Sequence, residues 1–370
     1  MDGTSSWWVQ SHGHAHPYVA DAVAKQAAAL SQTLFADFTH PSAEELAERM
    51  CVMTDMHRVF FSDDGSTSVE VALKVALLHA RATRPGAKRI AALDGAYHGD
   101  AFGAMSVSAR TEFSRPFERL LFDVDFLPFD DPVPAMESLF ARGETAAFIV
   151  EPLVQGTAGM RFYPPQTLSA MVRIARKHGV TVIFDEVMTG FGRTGKMFAS
   201  QWIDEKPDLI CLSKALTSGV LPMGLTLANE RMFEPFAAGE TLWHGHSYTG
   251  NAVACAAALA SLDLFEKAET WPQIQALAEA QAAGVDVMAG AGAKNVRACG
   301  VILAFEVETA GPPGYFNEVK HKIKTYALRR GLAVRPLGNT VYFFPPYCTP
   351  LDDVRRAHEI LAEGLASQWA

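Results

Sequence analysis

The sequence predicts an α/β fold: a large domain with a mostly parallel sheet, followed by a smaller C-terminal α+β domain. Three observations carry this expectation. Short runs that are apolar on both faces alternate with longer amphipathic patterns, as in a sheet covered by helices on each side. The rhythm changes from about residue 250, and 370 residues exceed one ordinary core.

In chain order, the candidate strands of the first unit are Arg58–Phe61, Arg89–Leu93, Ala147–Val150, Val180–Phe184, Asp208–Leu212 and Gly224–Ala228. Between them lie helical stripes. Ser42-Ala-Glu-Glu45 reads as a capping box, with Leu46, Met50 and Met53 following on one face. Val69, Leu73, Ala76, Leu77 and Ala80 form a second stripe, and Leu168, Met171, Val172 and Ala175 a third. Beyond residue 250 come two long helical patterns, Gly250–Lys267 and Trp271–Met288, then an alternating strand, Val301–Val307. A helix over Tyr315–Arg330, strands near Leu332–Arg335 and Thr340–Phe344, and a helix from Leu351 complete the chain. The domains are expected to span 1–268 and 269–370, with Gly290-Ala-Gly292-Ala as the most flexible turn.

Composition narrows the function. Hydrophobic residues make up 49% and charged residues 20%, a globular balance. The net charge of −9 leaves no basic excess for nucleic acid or an anionic membrane surface, so neither is expected as a partner. The five cysteines are dispersed without a CxxC pair and read as reduced thiols. His12, His14 and His16 lack a nearby carboxylate or cysteine ligand and read as a polar loop; no metal is expected. With no signal-like or membrane-length apolar segment, a soluble cytoplasmic protein is the expectation.

In open parallel sheets, ligands bind beyond the carboxyl ends of the strands. Gly65 and Ser66 follow the first strand at a helix start, a seat for phosphate made of amide N–H groups and the helix dipole. Tyr97 follows the second on a tight turn, Asp185 follows the fourth with Glu186 beside it, and Lys214 follows the fifth. Each alone is ordinary: a cap, a packed aromatic, a turn acid, a solvated lysine. Together they are what pyridoxal 5'-phosphate requires. The acid pairs with the pyridine nitrogen, and the lysine forms the Schiff base of the aldehyde and moves the proton between carbon atoms.

The strings Asp185-Glu-Val-Met-Thr-Gly-Phe-Gly-Arg-Thr-Gly195 and Leu212-Ser-Lys214-Ala-Leu resemble the class III, fold-type I aminotransferases. Trp7-Trp8, Tyr97-His-Gly-Asp-Ala-Phe-Gly-Ala-Met-Ser106, Glu151-Pro-Leu-Val-Gln-Gly156, Arg335-Pro-Leu-Gly and Pro345-Pro-Tyr347 extend the likeness through nearly the whole chain. The resemblance implies that Lys214 carries the cofactor, Asp185 meets its ring nitrogen, Tyr97 stacks on the ring and Val187 covers the opposite face. Gly65 and Ser66 would hold the phosphate. It implies a homodimer with shared sites, in which Ser247, with His246 beside it, binds the neighbouring subunit's phosphate and Gly245 borders its substrate. Trp7 would wall a seven-to-nine-carbon keto acid whose carboxylate meets Arg335, with S-adenosylmethionine as amino donor. The family carries a further N-terminal segment of the small domain ahead of Asp2-Gly-Thr-Ser-Ser-Trp7, and its contribution is expected to be absent here.

Two other readings stand beside this one. One is another class III ω-aminotransferase using a diamine or amino-acid donor. The other is a P-loop protein using Gly190-Phe-Gly-Arg-Thr-Gly195-Lys196, although Met197 stands where such a loop needs Ser or Thr.

Overall fold

The computed structural model describes residues 1–309 and 311–369. Its strands are β1 (Arg58–Ser62), β2 (Arg89–Leu93), β3 (Val124–Leu127), β4 (Thr145–Val150), a ribbon of β5 (Val154–Gln155) and β6 (Arg161–Phe162), β7 (Thr181–Asp185), β8 (Leu209–Leu212), β9 (Gly224–Ala228), β10 (Lys294–Cys299), β11 (Ile302–Glu306) and β12 (Thr340–Phe343). Seven of them form one sheet in the order β1-β9-β8-β7-β4-β2-β3. The pairings β2–β3, β2–β4, β4–β7 and β7–β8 are parallel. Strand β9 runs antiparallel to both β8 and β1, so β1 points the same way as the other five. Six carboxyl ends therefore share one edge.

The double-sided apolar character of the strands has a direct cause. Alternate residues face opposite layers. On one side Ala147, Ile149, Ile183 and Leu209 pack with Val69, Ala72, Leu73 and Ala76 of the helix Gly65–Thr83. On the other, Phe148, Val150, Val182, Phe184, Ile210 and Leu212 share a core with Leu168, Met171 and Val172 of the helix Pro165–Lys177. Each such large side chain contributes roughly 1.5–3 kcal/mol by leaving water. Among the described residues no helix is long and apolar enough to cross a membrane.

The C-terminal part carries the antiparallel sheet β10-β11-β12 with the helices Thr270–Gly290 and Leu351–Ala366. The first residues of the chain join it: Gly3 N–H donates to Ala333 O at 2.9 Å, and Phe344 N–H donates to Gly3 O at 2.9 Å.

Some sequence expectations change. The helix read as starting at Ser42 is capped by His40, whose Nδ1 accepts from Ala43 N–H at 3.2 Å, because Pro41 presets the first helical φ one position after it. The expected strand at Leu332–Arg335 reduces to one bridge, Asp2 to Ala333. Strands β3 and β10 were not foreseen. Both lie at sheet edges, where one side lacks a partner and the apolar signal is weak.

A buried polar knot ties the C-terminal helices to the sheet. His358 Nε2 lies 2.9 Å from Gln281 Oε1, and Gln281 Nε2 donates to Val301 O and Phe343 O. A Cβ at Gly284 would stand 2.7 Å from His358 Cε1, so only glycine permits this approach. Burial lowers His358 from 6.5 to about 4. The unfolded chain thus binds more protons between these values, and the contribution is fully present above about pH 6.5 and lost as pH falls through 4. Unfolding in urea at pH 7 and pH 4.5 should show a loss of roughly 2–3 kcal/mol from this group. His358→Gln is expected to remove that part of the acid sensitivity, and an unchanged slope would contradict the assignment.

Candidate active site

The shared strand edge opens into a cleft of about 2270 Å³ lined by Gly65, Ser66, Tyr97, His98, Asp185, Val187 and Lys214, with Trp7, Trp8, Tyr315 and Arg335 on its other walls. Strand β7 ends on Asp185, which is 4% exposed. A carboxylate there needs partners. Its Oδ2 lies 2.7 Å from His98 Nδ1, and its Oδ1 accepts from Val187 N–H at 3.0 Å. His98 is fixed in turn, its N–H donating to Ser108 Oγ at 2.8 Å, while its Nε2 is buried without a partner among the described residues.

Lys214 follows β8 after Ser213, whose hydroxyl donates to Met223 O at 2.7 Å. Its φ of 43° is a left-handed conformation that a side-chain-bearing residue adopts at a cost, and such strain gathers at functional positions. The amine sits 4.9 Å from the centroid of the Trp8 ring and makes no hydrogen bond among the described residues. Burial lowers its pKa below the ordinary lysine value, against the opposing pull of the Asp185 and Glu151 carboxylates. Trp8 is buried and also forms the floor under this amine.

The helix Gly65–Thr83 begins with a capping box in which Asp64 accepts from Thr67 N–H at 2.8 Å. The amides of Gly65 and Ser66 are left without protein acceptors among the described residues, at the positive end of a 19-residue helix. A Cβ at position 65 would come within 2.7 Å of Val187 Cγ1, so glycine lets the helix start meet the segment after β7. Tyr97 has its phenol raised above the ordinary value, by burial first and by Asp100 next.

On the far wall, the Arg335 guanidinium lies 3.6 Å from the Trp7 ring centroid and donates to Tyr315 hydroxyl at 3.1 Å. Trp7 is 55% exposed into the cleft. Gly245, His246 and Ser247 are not brought to this cleft in their own chain. They lie on a loop where His246 Nδ1 is 3.4 Å from Asp63 Oδ2 and Ser247 O accepts from Gln32.

Residues without a role in the sequence reading also matter. His98 is the partner of Asp185. Glu151, pushed by burial up to about 7, accepts from the N–H groups of Tyr97 and Gly156. Glu186, raised to about 7 by burial, accepts from Ala199 and Ser200 N–H. All three carry their signal only as polar residues beside a strand end. The P-loop reading is not supported: Lys196 is spent on Gln201 O and the Trp202 ring, and only the 3-10 turn Ala199–Trp202 follows.

A cation beside a flat apolar face, an anchored acid and free helix-start amides are the donor set that pyridoxal phosphate needs, and the residues present fit it. The profile described as aminotransferase class-III matches residues 1–365. A protein of Synechococcus elongatus named adenosylmethionine-8-amino-7-oxononanoate aminotransferase is 45% identical, the match covering 96% of this chain and 89% of that one. The solved structure bearing the same enzyme name from Methanocaldococcus jannaschii superposes with a TM-score of 0.93 at 30% identity, covering 99% of this chain and 88% of that one. An amine transaminase from an uncultivated Pseudomonas species, solved in its PLP-bound form, gives 0.92 at 30% identity, covering 100% and 91%. This chain belongs to the class III aminotransferase family.

Proposed function

We propose that the chain transfers an amino group from S-adenosylmethionine to 8-amino-7-oxononanoate, giving 7,8-diaminononanoate in biotin synthesis. The observation that carries this reading is the meeting, in one cleft, of a lysine, an anchored acid and a phosphate seat with a tryptophan–arginine wall. The relatives' names supply the substrate pair. Pyridoxal 5'-phosphate, the cofactor of the family, supplies an electron sink for the pair left when a C–H bond beside nitrogen is broken.

The chain's own residues do the rest. Asp185, oriented by His98 and the Val187 amide, would keep a proton on the cofactor's ring nitrogen. Tyr97 and Val187 would hold the ring between them, and the Gly65 and Ser66 amides would hold the phosphate. Lys214 moves the proton; its lowered pKa raises the fraction of neutral base at working pH, and the Trp8 face stabilises the ammonium once formed. Arg335 receives the keto acid's carboxylate while Trp7 walls its alkyl chain.

The working unit in this reading is a homodimer in the cytoplasm, with the domain boundary near residue 268. In support, Trp243, Tyr248, Leu34 and Phe38 are largely exposed around the loop that carries Gly245, His246 and Ser247, an apolar surface that a second copy would cover.

The direct test is the visible absorption of the purified holoenzyme, which S-adenosylmethionine should bleach; a band that persists with this donor but yields to a diamine would move the assignment to another ω-aminotransferase. Lys214→Ala is expected to lower turnover by at least about 10³-fold, since it removes the proton carrier. Arg335→Ala should raise KM for the keto acid by about 10–100-fold with kcat little changed, the loss of one charge-assisted contact. Unchanged KM would remove Arg335 from the substrate site.

A further inference from the structure

Ser5, Ser6, Trp7 and Trp8 have φ values of 48°, 46°, 68° and 72°. Four consecutive side-chain-bearing residues in the left-handed region form no stable structure by themselves. Yet this turn supplies both the exposed Trp7 wall against Arg335 and the Trp8 floor under Lys214. Something outside the turn has to hold it.

The holder is a buried cation. Arg193 is completely buried, and its NH2 donates to Trp8 O at 3.1 Å and Gln10 O at 2.8 Å, while NH1 donates to Ser5 Oγ at 3.3 Å. Ser5 Oγ in turn donates to Phe344 O at 2.7 Å. The guanidinium lies between the Phe344 and Tyr347 rings, 4.7 and 4.9 Å from their centroids. Its own backbone is pinned, with its carbonyl accepting from Val301 N–H at 3.1 Å. Among the described residues no carboxylate lies within ion-pair distance of it. A charge taken out of water without an acid is tolerated here because NH1 and NH2 meet a hydroxyl and carbonyls and the faces meet aromatic rings, while Nε is buried without a partner among the described residues. Both carbonyls and the hydroxyl belong to the turn or its immediate continuation.

We infer that Arg193 is a positioning residue for substrate recognition: its fork clamps the Ser5–Gln10 segment so that Trp7 and Trp8 face the cleft. The inference rests on the transamination reading for its kinetic readout, and on the clamp alone for its structural one. Lysine in its place offers a point charge without the fork and cannot meet the two carbonyls and Ser5 Oγ in the same arrangement.

The experiment compares holoenzyme with Arg193→Lys, Arg193→Met and, as a milder change that keeps the arginine, Ser5→Ala. Hydrogen–deuterium exchange is followed over residues 5–10 and over β7 and β8, alongside steady-state kinetics. Faster exchange confined to residues 5–10 is expected in all three. KM for the keto acid should rise about 10-fold in Arg193→Lys, with kcat falling less and the cofactor's absorption retained. Unchanged exchange and KM would overturn the inference. So would exchange that rises throughout the sheet with loss of cofactor, which marks a purely structural arginine. Should Arg193→Met not fold, Arg193→Lys and Ser5→Ala decide alone. If wild-type enzyme fails to turn over the named substrate pair, the functional reading falls, while the exchange result still judges the clamp.

Discussion

A carboxylate at the end of a fully buried strand must be partnered, and the Asp185–His98 pair at 2.7 Å is the interaction on which the rest of this architecture depends. It fixes more than one charge. To reach Asp185, His98 must be delivered by the turn after β2, and that turn is held by Ser108 behind it and by Glu151, after β4, which accepts the Tyr97 amide. The other oxygen of Asp185 holds the Val187 amide, and Val187 meets Gly65 at the start of the helix after β1. Ser66, the next residue, accepts from Ala101 N–H at 2.9 Å and closes the circuit. Four strand ends are thus locked around one acid, and the lysine after β8 lines the same cleft.

The same circuit explains how the acids and the lysine coexist. Glu151 and Glu186 are both shifted upward by burial, but each accepts two backbone amides, so neither is an abandoned charge. Lys214 is treated oppositely. It receives no hydrogen bond among the described residues, and its surroundings are an indole face and distant carboxylates. The buried acids are satisfied and the amine is left without a partner, which is how a pKa can be tuned for the proposed proton transfer without destabilising the strand ends.

This division also determines what could be read in advance. The residues at the strand ends were legible because an apolar run that stops on Asp185, or on Ser213-Lys214, breaks its own pattern and so marks itself. The helix seat at Gly65-Ser66 was legible for the same reason. Arg193 was not: it sits within a loop rich in glycine, and nothing local separates a fully buried guanidinium from a solvated one. His98 likewise looked like an ordinary neighbour of Tyr97 until the fold set it against a residue 87 positions away. Strand β10 was hidden in Lys294–Cys299, whose outer edge is unpaired and whose residues are partly or fully exposed. The His40 cap escaped because Ser42 offered the more familiar capping letters, whereas the proline at 41 decides where the helix begins.

Sequence separation divides the cleft into two kinds of wall. In the proposed reading the cofactor side is made from residues between Gly65 and Lys214 on one sheet edge, with Trp8 added from the start of the chain. The substrate side joins the two ends of the chain: Trp7 faces Arg335, and the contacts that bring them together are Gly3 with Ala333 and Phe344, and Ser5 with Phe344. Closing a loop of more than 300 residues costs only slightly more entropy than closing a short one, but it is recovered only when both partners are already in place. Trp7 and Trp8 are neighbours in one turn, so the ring that faces Arg335 and the ring under Lys214 are set together.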